Sequence, residues 1–139
     1  MTDPRQTFLD DVRRYLAAGE RLTTGVTEFM EMNRAALEDL EAGMGLAESF
    51  RVRDSARWSR QVSSLLDDFE ACRRSTRSSA AAALLEEGCS ITDVGRAFGV
   101  SHQLASRFAK GATAADGTGE AAPDGDGGGD GDGHGGFPA

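Results

Sequence analysis

Six polar side chains fall between Ser101 and Lys110: Ser101, His102, Gln103, Ser106, Arg107 and Lys110, with no Asp or Glu among them. Each donates hydrogen bonds, and Arg107 and Lys110 carry fixed positive charge. A merely solvated helix face more often mixes in Glu, so an acid-free run of donors points to a target rich in acceptors. Duplex nucleic acid is such a target, because its phosphates take Arg and Lys and its base edges pair with Gln and Arg. Gln103 and Arg107 lie four apart, which on a helix places them on one face. A second basic group, Arg73, Arg74 and Arg77, precedes the alanine-rich stretch Ala80 to Leu85 and is expected to reach flanking phosphates.

The elements that would position these side chains are legible around them. Ser90 precedes a helical run and Asp93 follows three residues later, close to a capping box although Asp is shorter than the usual Glu or Gln. Gly99 stands where a first helix must end and the chain reverse, a position that needs a left-handed backbone. Ser101 is then placed to cap a second helix. Val94, Phe98, Val100, Ala105 and Phe108 would close across the turn as a small core, with Gly95 letting the two backbones approach. Leu84 and Leu85 would pack beneath, and Gly88 would end the helix that carries them.

The pattern Val94-Gly95-x-x-Phe98-Gly99-Val100-Ser101 resembles the bacterial helix-turn-helix family of transcription regulators and resolvase-type recombinases. Gly95, where many members carry Ala, is closer to the promoter-reading helix-turn-helix of sigma factors. The resemblance covers residues 90–110, or 76–110 with the preceding alanine-rich helix. It implies a second helix that enters the major groove of duplex DNA, with Ser101, His102, Gln103, Ser106, Arg107 and Lys110 on it.

Composition sets the frame. The 139 residues carry a net charge of −8, with 39% apolar and 6% aromatic side chains. Helix formers dominate through residue 110 and no alternating strand pattern appears, so an all-α fold is expected. The charge is unevenly spread. Residues 1–50 hold five basic and ten acidic side chains, residues 51–70 hold four of each, and residues 111–139 hold six acids and no base. Residues 71–110 hold six basic and three acidic, and this one positive block contains the donors. Screening acts over about 8–10 Å, so the local sign outweighs the total. Cys72 and Cys89 make no disulfide framework and have no His partners for zinc. The N-terminus MTDPRQ lacks an apolar signal core and no run is long enough to span a membrane, so a cytoplasmic protein with free thiols is expected.

Residues 1–72 read as a helical coiled-coil or dimerisation segment. Phe8, Val12, Tyr15, Gly19, Leu22, Val26, Phe29, Asn33, Ala36 and Leu40 alternate four-three spacing without a miss. Phe8 as d makes Val12, Gly19, Val26, Asn33 and Leu40 the a positions, and a lone Asn at a is a device for fixing register and partner number. Gly19 and Gly25 each cost a helix about 1 kcal/mol, which makes a bend near them an expectation. Gly43-Met44-Gly45 should turn the chain, and a second seam runs Trp58, Val62, Leu65, Phe69, Cys72, fading through Thr76 and Ser79 to Ala83. Spacing leaves open whether the two seams form an intrachain hairpin or an intermolecular coiled coil. A hairpin alone buries little, so a homodimer through the N-terminal helices is expected. Trp58 would anchor that bundle, while Arg51, Arg53, Arg57 and Arg60 would form a solvated, ion-paired face.

Residues 73–110 then form the helix-turn-helix unit, and residues 111–139, with eleven glycines and six acids, an acidic Gly/Asp-rich tail expected to be disordered. Its Asp-Gly repeats lack the Glu that closes a calcium loop, and His134 stands alone. No phosphate-cradling Gly loop, G-x-S-x-G or H-E-x-x-H occurs, so no enzyme, cofactor, metal or small-molecule ligand is expected. The reading is therefore sequence-specific duplex DNA binding in transcriptional regulation. Two other readings stay open: a coiled-coil interaction module whose helix-turn-helix is structural, and a sigma-like partner of RNA polymerase.

Overall fold

A computed structural model describes residues 2–114, with side chains through Gly111. The described residues are all-helical: α1 (Pro4–Glu41), α2 (Leu46–Val52), α3 (Ser55–Glu86), α4 (Ile91–Phe98) and α5 (His102–Ala114). The tail beyond residue 114, with its Asp-Gly repeats and His134, lies outside the described residues.

The two long helices fold back on each other, so the seams meet within one chain as an antiparallel hairpin. Asp3 caps α1 by accepting from the Arg5 N–H, and Pro4 sits in its first turn. The Tyr15 and Phe69 rings pack at 5.0 Å, and the Thr76 hydroxyl reaches the Asp11 carbonyl at 3.3 Å.

Burial along α1 is displaced from the expected a line. Asp11, Ala18 and Gly25 are buried, whereas Asn33 is exposed and its side-chain N–H bonds the Phe29 carbonyl of its own helix at 2.8 Å. Small side chains explain the displacement. A Cβ at Gly25 would overlap the Leu65 side chain, and one at Gly19 would stand 3.5 Å from Phe69. The two glycines admit side chains of α3, and α1 stays one unbroken helix through both. Helix α3 thus lies over the small-residue side and leaves larger side chains of α1 outside.

The connector is more than a turn. Past Gly43 the chain makes the short α2, then Asp54 adopts a left-handed backbone (φ 49°) before α3 begins. Two N–H groups of Arg53 converge on one oxygen of Asp39 and tie this connector to α1. Of the expected ion-paired face, Arg53 pairs with Asp39 and Arg57 lies 3.6 Å from Asp54, whereas Arg51 and Arg60 pair with nothing among the described residues. The Arg57 guanidinium sits 5.5 Å from the ring centre of the half-buried Trp58.

Helix α3 runs unbroken through the expected boundary between residues 72 and 73. Thr76 and Ser79 continue its seam because each hydroxyl bonds a carbonyl of its own helix, Cys72 at 2.8 Å and Ser75 at 3.0 Å. One helix therefore serves both units: its first part packs on α1, and its last turns carry α4 and α5. At the other expected boundary, α5 continues past Lys110 to Ala114. Gly111 makes this possible, since a Cβ there would come within 2.8 Å of the Ser78 hydroxyl of α3.

Candidate nucleic-acid interface

The unit that presents the donors is built on the end of α3. Gly88, at φ 96°, turns the chain out of that helix, with the Cys89 N–H on the Leu84 carbonyl at 3.0 Å. Ser90 and Asp93 then form a complete capping box. The Asp93 N–H donates to the Ser90 hydroxyl oxygen at 3.1 Å, and the Ser90 N–H and O–H each donate to Asp93 Oδ2 at 2.9 Å. Asp93 is short for this role but reaches.

The box leaves an electrostatic signature. The Ser90 N–H foremost, then its hydroxyl, with Arg96 adding, hold the Asp93 carboxyl below its ordinary value of 3.8. A depressed folded value means that the contribution is complete above that pH and fades as pH falls through the lowered value. Asp93→Asn should therefore lower the urea midpoint of α4 and α5 at neutral pH, and the gap to wild type should narrow on acidification below pH 3.8. A gap independent of pH in that range would mean that the charge of Asp93 does no capping work.

Helix α4 ends at Gly99, φ 65°, with the Val100 N–H on the Gly95 carbonyl at 2.9 Å. A Cβ at Gly95 would stand 3.0 Å from the Val100 carbonyl oxygen and 3.7 Å from the Ala105 Cβ, so the close crossing at this glycine is real. The Ser101 hydroxyl accepts from the Leu104 N–H at 3.2 Å and caps α5. Beneath, Ala81, Val94, Ala105 and Phe108 are buried, and Leu84, Leu85, Ile91, Phe98, Val100 and Ala109 surround them. Phe98 and Phe108 meet edge to face at 5.7 Å.

With Ala105 and Phe108 turned inward, helical spacing sends Gln103, Arg107 and Lys110 to the opposite face of α5, where all three are exposed. His102 is exposed at the first turn and Ser106 is half-buried at the flank of that face. The structure thus brings four of the six donors to the outside of one helix, leaves Ser106 half-buried beside them and gives Ser101 to the cap.

The three arginines of α3 divide. Arg74 is exposed and makes no ion pair among the described residues. Arg73 is held 3.1 Å from Glu70. Arg77 is turned inward: its guanidinium lies 4.9 Å from the Phe108 ring centre and its Nε is buried with no hydrogen-bond partner. Its role here is to roof the small core, a cation over an aromatic face.

Sequence reasoning passed over two residues of this surface. Arg96 is exposed on α4 and joins no ion pair among the described residues, and Leu104 is 36% exposed on α5. Arg96 belongs to the positive block and was legible as charge. The exposure of Leu104 depends on how far α5 rolls against α3. Among the described residues no group of three or more His, Cys, Asp or Glu is placed to hold a metal ion, and no helix is long and apolar enough to cross a membrane. Compared with known proteins, this chain matches no family model, no curated protein and no solved structure.

Proposed function

We propose that this chain binds duplex DNA sequence-specifically, with α5 as the reading helix of a helix-turn-helix and transcriptional regulation as its purpose. One observation carries the reading. Gln103 and Arg107 stand exposed one turn apart on a helix whose opposite face is fixed by Phe108 and Ala105, so the pair is presented rigidly and without a competing acid on α5. Gln suits adenine and Arg suits guanine, each through two hydrogen bonds. Arg74 of α3 and Arg96 of α4, both exposed, supply cations for the backbone.

The test is a titration of the full chain against duplex DNA at two salt concentrations. Binding should weaken with salt, and Arg74→Ala should weaken all sequences alike and make the log–log salt slope shallower by about one unit. No retention on DNA at low salt, or a salt slope of zero, would overturn the reading.

A specific observation also favours a protein partner. Leu46, Phe50 and Val52 are each more than half exposed around α2, at the end of the hairpin opposite α4 and α5. A polymerase-associated role would use such a surface alongside DNA. Polymerase capture with and without DNA separates the two, since a purely DNA-borne association vanishes when the DNA is digested.

A further inference from the structure

Two lines of residues on α1 have opposite fates. Asp11, Ala18 and Gly25, seven apart, are buried under α3. Leu9, Leu16, Thr23, Met30 and Leu37 are also seven apart, and Leu16 (63%), Met30 (41%) and Leu37 (55%) are left exposed. Val12, Gly19, Val26, Asn33 and Leu40 run beside this second line, half-exposed apart from the exposed Asn33. The resulting face is a largely apolar seam with four-three spacing, interrupted by Thr23 and Asn33. Leu66 of α3, three residues before the Phe69 that packs on Tyr15, is half exposed as well.

The charges along the rim say what the seam accepts. Arg13, Glu20, Thr27, Arg34 and Glu41 follow the seam on its solvent side, again seven apart and all exposed. Read forward the order is plus, minus, neutral, plus, minus. Read backward every sign is reversed. An antiparallel second copy therefore sets Arg13 against Glu41, Glu20 against Arg34, and Thr27 against Thr27. In a parallel pair the rim would instead face Tyr15, Leu22 and Phe29, the side already turned to α3. Glu20, Arg34 and Glu41 make no ion pair within the described residues, and Arg13 is engaged only with the exposed Asp10 at 2.8 Å.

Size and relief agree with the charges. The seam from Leu9 to Leu40 is about 46 Å long at 1.5 Å per residue. One helix width of contact on both copies comes to about 1,000 Å², where specific interfaces begin. Between Leu16, Thr23 and Phe69 the surface is hollow, with Gly19 and Leu22 in its lining. In the antiparallel register that joins the rims, Leu37 of one copy comes over the Leu16–Gly19 stretch of the other.

We propose that a second copy of this chain docks antiparallel along the Leu16–Met30–Leu37 face of α1, with the two-fold axis near Thr27, and that rim pairing of Glu20 with Arg34 sets the direction. This gives the homodimer reading its surface and its orientation. The test contains no DNA, so its failure and a failure of DNA binding are separate results.

The experiment is sedimentation equilibrium of the full chain at tens of micromolar. Wild type should be a dimer. Leu16→Glu with Met30→Glu, both at exposed sites, should keep the helical circular dichroism and weaken the dimer by about a hundredfold or more. Arg34→Glu alone should also weaken it, and adding Glu20→Arg to the same chain should restore it, because position 20 meets position 34 only across an antiparallel pair. A monomeric wild type, a dimer indifferent to the two glutamates, or a charge swap that fails to rescue would each overturn the proposal.

Discussion

Phe108→Ala is expected to unfasten α4 and α5 from α3 while the α1–α3 hairpin stays folded. The ring is 9% exposed, meets Phe98 edge to face and lies under the Arg77 guanidinium. Removing such a side chain costs about 3–5 kcal/mol, from lost transfer energy and from the cavity left behind. The core it belongs to has four buried members, of which two are alanines, and cannot collapse to refill the space. The loss approaches the whole stability of a unit this small. Trp58, the single Trp, sits near the opposite end of α3 and reports on the hairpin alone. In urea, its fluorescence transition should hold its wild-type midpoint while the far-ultraviolet signal loses a helical fraction earlier. Coincident transitions at a common lowered midpoint would show that α3 couples the two units into one.

Gln103→Ala and Arg107→Ala are expected to leave the fold intact and each to cost about 1–3 kcal/mol in binding to the preferred duplex, five- to more than a hundredfold. Both side chains are exposed and neither takes part in a hydrogen bond or ion pair among the described residues, so truncation removes nothing from the protein's own stability. Each should relax preference at one base position, and a different one for each, because bidentate pairing reads one base per side chain. The binding isotherms should keep the wild-type salt slope for Gln103→Ala, which carries no charge, and lose about one unit of slope only where Arg107 also touches phosphate. Equal losses across all sequences would mean that the two residues hold the backbone and read nothing.

Much of this architecture was legible in the sequence because it rests on local signals. Ser90 with Asp93, Gly88, Gly99 and Ser101 each act within a few residues of themselves, and each takes the role its chemistry suggests. Val94, Phe98, Ala105 and Phe108 likewise fall to the inside. What the sequence left open depends on how one helix rolls against another. The seam of α1 reads as an a and d line, yet α3 settles over Ala18 and Gly25, because small residues allow the closer approach. Asn33 is thereby exposed in the single chain. Arg77 is spaced like a phosphate contact but lies over Phe108, and the difference of one helical turn between Arg74 and Arg77 is set by the docking of α5. The end of the positive block at Lys110 looked like the end of the unit. Gly111 against Ser78 carries the helix one turn further.

Whether α5 reads base edges in a major groove is decided by selection of the full chain against a randomised duplex pool. The recovered motif should contain adenine and guanine positions that disappear with Gln103→Ala and Arg107→Ala respectively. If the antiparallel dimer binds as a unit, its ends stand about 60 Å apart at 1.5 Å per residue, and the motif should recur inverted about two helical turns away. A pool recovered without any enriched motif, or the same motif recovered with both side chains removed, would mean that α5 reads no bases.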